Sequence, residues 1–367
     1  MYEFDDRLVM TLDAGGTNFV FSATKAYKEV IEPICLPAVK DDLDGCLQTL
    51  ERGFRLVLDN ITEKPAAISF AFPGPADYKN GVIGDLPNFK AFRGGVALGP
   101  YLAERFGIPV FVNNDGNLFA YGEAIAGVMT EVNNALFHAG VNRVYKNLIG
   151  ITLGTGFGAG VVIDGVLLSG DNGCGGDIWC MRNRKYPELL SEESVSIRAV
   201  KRVYQEKSGE DATSLTPKDI YDIAEGVRQG DLGAARDSFA ELGQVAGEAI
   251  ANVIDIVDGI VVIGGGISGA SKYIIPSLVA ALNGKVETFA GDSFSLLESK
   301  AYNWEDKKDR EAFLNLGVLE INVPYSIQKV TYIRDKAVCV CLSRNGTSTS
   351  VMYGAYAYAL HQIDTNI

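Results

Sequence analysis

The feature that most constrains the fold of this chain is a strand–turn–strand unit that occurs twice. In each copy, an apolar segment is followed by a glycine-rich segment and then by a second apolar segment. This pattern predicts two strands joined by a turn. The strands and turns are residues 8–12, 13–18 and 19–23 in the first copy, and 148–153, 154–160 and 161–164 in the second. A spacing of about 140 residues between the copies suggests an internal duplication.

The element after each turn separates these units from two common nucleotide-binding motifs. A P-loop and a Rossmann turn each open a helix, and a P-loop also carries Gly-Lys followed by Ser or Thr. Here a strand follows each turn, and neither stretch contains that lysine motif. The pattern therefore disfavours both of those sites.

The composition of the first turn suggests an anion site with a metal ion. Gly15 and Gly16 can adopt positive φ, and their missing Cβ atoms let another group approach the backbone. Backbone N–H groups in such a turn can hold a phosphate. Asp13 beside them would repel a phosphate unless a cation lies between, which favours a Mg²⁺–phosphate site. An ordinary β-hairpin remains the alternative for one copy, whereas two facing turns can hold one polyphosphate from both sides.

Two further stretches place polar or flexible residues at the ends of predicted strands. Asn114, Asp115 and Asn117 follow the strand at 109–112, where ligand sites of α/β proteins are found. Asp115 or Asn117 could instead be only the N-cap of the next helix. The turn at 264–266 follows the buried strand 259–263, with a plain β–α turn as the alternative.

Charge and composition exclude several classes of function. The formal net charge of the 367 residues is −13, which argues against binding to nucleic acid or to anionic membranes. We expect no signal peptide, no membrane-spanning helix and a cytoplasmic location with six reduced cysteines. The two histidines, His138 and His361, lie in no motif, so acid–base chemistry must use carboxylates.

The motifs, taken in order, resemble those of the ROK family of sugar kinases and regulators, within the actin/hexokinase/Hsp70-type ATPases. The resemblance covers most of the chain, and it depends on the number and order of the motifs. They are DAGGTN at 13–18, PGP at 73–75, LPNF at 86–89, Asn114-Asp115 running to Gly122-Glu123, GTGFGAG at 154–160, VVIGGGIS at 261–268 and Gly354-Ala355 in the last predicted helix.

The resemblance implies an α/β fold of two domains with duplicated ribonuclease H-like (actin/hexokinase-type) architecture around a central cleft. The first domain would span residues 1–115 and be completed by a C-terminal helix at about 352–367. The second, larger domain would span residues 116–351.

The resemblance also implies ATP and Mg²⁺ as ligands and assigns roles to individual residues. Asp115 would be the general base that accepts the proton of a sugar hydroxyl. The ATP phosphates and Mg²⁺ would be bound by Asp13, Gly15, Gly16, Thr17 and Asn18 and by Gly154, Thr155 and Gly156, the nucleoside would pack on Gly264, Gly265 and Gly266, and the sugar would be bound by Asn88, Asn114, Asp115 and Asp177.

One stretch departs from the family pattern on the sugar side. Sugar kinases of the family typically carry Glu-x-Gly-His followed by a cysteine-rich zinc motif. Here Asp177 replaces the glutamate, Cys180 stands at the histidine position, and residues 181–185 lack the cysteines. We therefore expect no structural zinc, because four nitrogen or sulfur ligands cannot be assembled locally.

The expected activity is ATP-dependent phosphorylation of a hexose or an amino-hexose. A non-catalytic sugar-sensing regulator is the first alternative. Regulators of the family usually carry a helix-turn-helix segment ahead of the first phosphate motif. Asp13 in that motif lies close to Met1, which counts against a DNA-binding regulator. A degenerate kinase is the second, suggested by the altered stretch at 176–180. A homodimer remains open, and residues 304–335 have no counterpart in the resemblance.

Overall fold

The computed structural model describes residues 1–15, 17–74, 76–84 and 90–365, with only the backbone of Lys90. The chain divides into two compact units. The first comprises Met1–Gly127, Gly160–Gly176 and Asn345–Ile367, and the second comprises Val128–Ala159 and Asp177–Arg344. No helix within the described ranges combines the length and the apolar character needed to cross a membrane.

The strands of the described residues belong to two larger sheets and three two-stranded sheets. In chain order they are β1 Val9–Ala14, β2 Asn18–Lys25, β3 Lys28–Glu29, β4 Ile34–Pro37, β5 Ala67–Ala71, β6 Ala76–Asp77, β7 Val82–Ile83, β8 Val110–Asn113, β9 Leu148–Leu153, β10 Phe157–Ile163, β11 Val166–Leu167, β12 Ile260–Gly264, β13 Lys285–Glu287, β14 Ser293–Ser295, β15 Lys300–Asn303, β16 Val318–Asn322, β17 Lys329–Ile333 and β18 Ala337–Leu342.

The α-helices of the same residues range from one of 26 residues to two of 8 residues. They are α1 Leu43–Asp59, α2 Leu98–Phe106, α3 Asp115–Ala126, α4 Val128–His138, α5 Ile197–Ser208, α6 Pro217–Ala224, α7 Leu232–Val257, α8 Ser271–Leu282, α9 Lys307–Leu314 and α10 Thr347–Thr365.

The first unit is built on a mixed sheet whose central strands are covered on both faces. Its order is β3-β2-β1-β5-β8, with β4 also paired to β2; β1 runs antiparallel to β2 and parallel to β5. All five residues of β5 are buried, as expected for a strand between two layers. Phe21, Phe54 and Phe70 belong to the core that includes α1, whereas Val9 and Tyr356 belong to the core that includes α10.

The second sheet repeats the strand order of the first. Its order is β11-β10-β9-β12-β18-β15, and β12 runs parallel to both β9 and β18. In each sheet, the strand before a glycine-rich turn lies between its own return strand and a parallel strand from later in the chain. The sequence repeat is therefore also a repeat of topology, in a mixed α/β protein.

The division between the units falls after Gly127, whereas the sequence suggested a boundary after residue 115. The reason is that α3 packs against α10. A Cβ on Gly122 would lie 1.9 Å from the backbone oxygen of Ser350, and one on Gly354 would lie 1.9 Å from that of Leu118. Glycine on both helices lets their backbones touch, which keeps α3 in the first unit.

Candidate active site

Three parallel strands of the first unit end together and bring the predicted acidic residues to one edge of the sheet. Asp13 of β1 is in register with Ala71 of β5, and Ala71 is in register with Asn113 of β8. Asp13 is exposed, whereas the side chain of Asn113 is buried. The sequence predicted a site at strand ends, and the register brings Asp13 to the same edge as residues 113–115.

The turn after β1 is tight because of the missing side chain of Gly15. A Cβ at Gly15 would lie 2.9 Å from the backbone oxygen of Asn18, closer than Cβ atoms approach in proteins. Gly15 does not use the positive φ that glycine allows, so close approach alone requires glycine here. Thr17 and Asn18 are exposed, and the Thr17 carbonyl accepts a hydrogen bond from the Ala38 N–H at 2.9 Å. Gly16 lies outside the described residues.

The stretch after β8 separates helix capping from the proposed catalytic carboxylate. Asn114 is the N-cap of α3, and its Oδ1 accepts a hydrogen bond from the Gly116 N–H at 2.8 Å. The alternative interpretation of the sequence was that Asp115 or Asn117 is only the N-cap of this helix. Neither residue is the N-cap, because Asn114 occupies that position. Asp115 is the first residue of α3, and its Oδ1 accepts from the same N–H at 2.9 Å. Asp115 as a residue is exposed to solvent, although the surrounding protein atoms remove part of the hydration of its carboxyl group.

The surroundings of Asp115 make it a stronger base than an ordinary aspartate. Desolvation raises the pKa of Asp115 most, and the negative charge of Asp13 raises this pKa further. The hydrogen bond from the Gly116 N–H opposes the rise in pKa, because it stabilises the ionised form. A carboxylate that is accessible to a substrate and has a raised pKa fits general-base chemistry.

The glycine-rich turn of the second unit contacts a carboxylate that the sequence analysis missed. The Phe157 N–H donates to Glu192 Oε2 at 3.0 Å, and a Cβ on Gly156 would lie 2.5 Å from that oxygen. A Cβ on Gly154 would meet nothing within 4 Å, so this glycine borders open space. Arg198 donates to the other Glu192 oxygen at 3.0 Å. The polar run around Glu192 carries no motif that would have identified it.

The third glycine-rich turn lies beside the second. Gly264 is in register with Thr152, and Gly265 has φ of 90° with a virtual Cβ 2.2 Å from the Leu153 oxygen. Gly265 is thus required by packing on the end of β9, as the plain β–α turn reading supposed. A Cβ on Gly266 would meet nothing within 4 Å. In this turn, Gly265 is therefore needed for packing, whereas Gly266 borders open space.

The remaining predicted sugar-binding residues divide between described and undescribed parts of the chain. Asp177 is exposed and precedes the short 3-10 turn Ile178–Cys180, where the Cys180 thiol donates to the Asp177 carbonyl at 3.1 Å. Asn88 lies outside the described residues. Within the described part of the chain, no group of three or more His, Cys, Asp or Glu side chains is arranged to hold a metal ion.

Comparison with known proteins gives the family. A model of the ROK family matches residues 9–303. The chain belongs to the ROK family. A crystal structure of glucokinase from Parabacteroides distasonis is 55% identical to this ROK chain, covers 98% of it and 99% of its own length, and has a TM-score of 0.90. The family resemblance read from the sequence is confirmed.

Two more distant relatives extend the comparison. A glucokinase from Thermotoga maritima is 29% identical over 302 residues, which are 73% of this chain and 88% of that protein. A crystal structure of a ROK family glucokinase from Streptomyces griseus, in complex with glucose and AMPPNP, is 19% identical and covers 95% of this chain and 98% of its own. Its TM-score of 0.58 shows the shared fold.

Proposed function

We propose that this ROK-family chain transfers the γ-phosphoryl group of ATP to a hydroxyl of a hexose, with glucose as the first candidate. The chain is an ATP-dependent sugar kinase, and the observation that carries this conclusion is the 55% identity to a glucokinase over 98% of the chain. An amino-hexose is the second candidate, because the sugar side departs from the family pattern at Asp177 and Cys180.

Asp115 is the proposed general base. It retains contact with solvent at the start of α3, its N-cap duty is carried by Asn114, and desolvation by the surrounding protein atoms, together with the charge of Asp13, raises its pKa. These properties support transfer of the sugar hydroxyl proton to Asp115 as the oxygen attacks the γ-phosphorus. Asn114, Asp177 and Asn88 are the proposed hydrogen-bond partners of the other hydroxyls.

Asp13 is the proposed protein contact of the Mg²⁺–ATP complex. Mg²⁺ prefers oxygen ligands and commonly takes only one or two carboxylates together with substrate phosphates and water, so one exposed aspartate fits this ion. Bound Mg²⁺ would neutralise charge on the phosphate oxygens during transfer. Gly15, Gly16, Thr17 and Asn18 would add backbone and side-chain donors.

The two neighbouring glycine turns of the second unit are the proposed remainder of the nucleotide site. Gly154, Thr155 and Gly156 would contact the phosphates, and Gly264–Gly266 would pack against the nucleoside. The open space at Gly154 and at Gly266 supports close approach of a ligand to the backbone. The Phe157 N–H already donates a hydrogen bond to Glu192, and this hydrogen bond stabilises the turn that contains Gly154 and Gly156.

The repeated strand order supports a duplicated ribonuclease H-like fold of the actin/hexokinase type. In that architecture, phosphoryl transfer depends mainly on positioning and charge stabilisation, with one group to orient the nucleophile. The assignments above follow this division of roles.

A coupled assay of ADP release with ATP, Mg²⁺ and a panel of hexoses and amino-hexoses tests the proposal. We expect sugar-dependent turnover that is highest with glucose. Highest turnover with an amino-hexose would select the second candidate. Sugar binding without turnover on any member of the panel would contradict the kinase assignment and favour a sugar sensor or a degenerate kinase.

A further inference from the structure

The last residue of β8, Asn113, is a buried amide that precedes the proposed catalytic carboxylate by two positions. Asn113 is 2% exposed, and its backbone is held in the sheet, because its carbonyl accepts a hydrogen bond from the Phe72 N–H at 2.9 Å. A buried amide side chain without partners costs free energy, so hydrogen bonds are expected at this one. Its partners lie at the start of α3 and in α10.

The oxygen of the Asn113 amide holds the first turn of α3. Asn113 Oδ1 accepts hydrogen bonds from the Asn114 N–H at 2.8 Å and from Asn117 Nδ2 at 3.0 Å, which uses both of its lone pairs. The next asparagine acts in the same way, since the Gly116 N–H donates to Asn114 Oδ1 at 2.8 Å. Two asparagine oxygens therefore fix the backbone on both sides of Asp115.

The nitrogen of the Asn113 amide connects this turn to α10. Desolvation raises the pKa of Tyr358, and a hydrogen bond with the Asn113 side chain opposes that rise. A bond that lowers the pKa of a phenol stabilises its ionised form, so Asn113 Nδ2 donates to the Tyr358 hydroxyl. The Tyr358 ring also contacts the ring of Phe111 in β8 edge to face, with centroids 6.3 Å apart. The orientation of the Asn113 amide is therefore set at both of its ends.

The side chain of Asn117 follows the needs of Asn113 rather than its own. Asn117 is 5% exposed, and its Oδ1 is buried with no hydrogen-bond partner among the described residues. A buried unsatisfied oxygen costs about 1–3 kcal/mol. Turning the Asn117 amide over would instead place its Oδ1 against Asn113 Oδ1, where two acceptors repel each other. The bond to Asn113 is thus kept although it leaves one Asn117 oxygen unpaired.

We propose that Asn113 is a positioning residue for phosphoryl transfer, because its amide holds the first turn of α3 where Asp115 can meet the sugar hydroxyl. This inference rests on the proposed role of Asp115 as the general base. Catalytic groups must be held within about 0.5 Å of the productive geometry, and a misplacement of about 1 Å can lower the rate on the order of 100-fold. Without the Asn113 oxygen, the Asn114 N–H and Asn117 Nδ2 both lose their partner, and the turn rearranges toward water.

Steady-state kinetics of Asn113→Leu and Asn113→Asp with ATP, Mg²⁺ and the best sugar of the panel test the proposal. Leucine keeps the branched shape of asparagine without its hydrogen-bonding atoms, whereas aspartate keeps the oxygens that can accept from Asn114 and Asn117. We expect kcat of Asn113→Leu to fall at least about 10-fold, with the KM for ATP within about 2-fold of wild type. The Asn113→Asp variant should recover most of this loss.

Normalisation and a matched variant separate misplacement of Asp115 from partial unfolding. The rate is expressed per site that binds a non-hydrolysable ATP analogue in a calorimetric titration, so unfolded protein does not lower kcat. Asn133→Leu removes an asparagine of α4 that also binds backbone, with Oδ1 accepting from the Tyr145 N–H at 2.8 Å and Nδ2 donating to the Tyr145 carbonyl at 2.9 Å. Its kcat per site should stay within about 2-fold of wild type.

Tyr358→Phe tests the other end of the amide and keeps the aromatic ring. It should lower kcat about 3-fold in the wild-type background and have no further effect in Asn113→Leu, where the hydrogen bond is already absent. Equal factors in the two backgrounds, a fall of less than about 10-fold in Asn113→Leu, or an Asn113→Asp variant as slow as Asn113→Leu would each overturn the inference.

Asp115→Asn in the same assay distinguishes a failure of this inference from a failure of the base assignment. An inactive Asp115→Asn beside an active Asn113→Leu would remove only the positioning role of Asn113. Near-wild-type turnover of Asp115→Asn would remove the base assignment, and the positioning role with it.

Discussion

At the scale of single residues, Asp115 owes its properties to two neighbours with different effects. Asn114 takes over the N-cap of α3, which leaves the Asp115 carboxylate accessible. Desolvation raises the pKa of Asp115 most, and the negative charge of Asp13, near the end of β1, adds a smaller rise. The pKa of Asp115, the proposed base, therefore depends in part on Asp13, the residue proposed to bind Mg²⁺–ATP.

Replacing Asp115 by asparagine should remove catalysis far more than sugar binding. Asparagine keeps the size and most hydrogen bonds of Asp115 but cannot accept the proton, and a general base contributes roughly 10²–10⁴-fold in rate. We expect kcat of Asp115→Asn to fall at least about 100-fold with little change in the sugar KM.

Two variants serve as controls for that experiment. Asp13→Asn should instead weaken use of Mg²⁺–ATP, and Asp59→Asn at the exposed end of α1 should leave both constants unchanged. Near-wild-type turnover of Asp115→Asn on the best sugar would show that another group is the base, with Asp177 as the next candidate.

The raised pKa of Asp115 also predicts a pH dependence of activity. The base works in its ionised form, and a raised pKa means that it is protonated at a higher pH than the ordinary value of about 3.9. We therefore expect kcat/KM to fall as pH drops through this raised pKa, with a single-proton limb in a pH profile on the best sugar. A profile that stays flat down to pH values near 4 would argue against Asp115 as the base.

At the scale of elements, the contact between α3 and α10 fixes the helix that begins with the proposed base. Gly122 and Gly354 each face a backbone carbonyl of the other helix at a distance that leaves no room for a side chain. The position of α3, and with it that of Asp115, therefore depends on a helix from the far end of the sequence.

Gly354→Ala should destabilise the first unit. The added methyl group would clash with the Leu118 carbonyl, and overpacking of this kind typically costs about 1–3 kcal/mol. Urea unfolding followed by circular dichroism should show a lower free energy of unfolding. Gly269→Ala, whose Cβ would meet nothing within 4 Å, should stay within about 0.5 kcal/mol of wild type. Equal stability of the two variants would contradict the tight crossing.

At the scale of the whole molecule, the two units share a strand order but differ in what surrounds their glycine turns. In the first unit the turn lies near acidic residues at parallel strand ends, whereas in the second unit Glu192 is bonded to the turn. The repeat thus supplies two similar backbones with different side chains.

The distribution of cysteine and histidine across the chain predicts a protein without structural zinc. Cys46, Cys339 and Cys341 are buried, and Cys35, Cys174 and Cys180 are exposed without a nearby histidine in the sequence. Elemental analysis of purified, active protein should find far less than one zinc ion per chain. Stoichiometric zinc that is lost together with activity on chelation would contradict this prediction.

The sequence by itself determined the features that depend on local patterns. Alternating and continuous apolar runs identified the buried strands, the repeat of strand, glycine turn and strand gave the repeated unit, and Asp13 and Asp115 were found because each follows a strand. The family followed from the order of these motifs. Such signals need only neighbouring residues, because side-chain periodicity and glycine backbone freedom act over a few positions.

Only the tertiary structure decided which of these elements meet. Contacts between distant residues set the register that brings Asp13 to the edge occupied by Asn113 and the packing of α10 on α3. They also place the carboxylate of Glu192 at the second turn. The exposure of the apolar side chains of β16 and β17 depends on which surface the rest of the chain leaves uncovered. The physical reason is that strand order and helix crossings are set by packing between distant segments, which a local pattern does not encode.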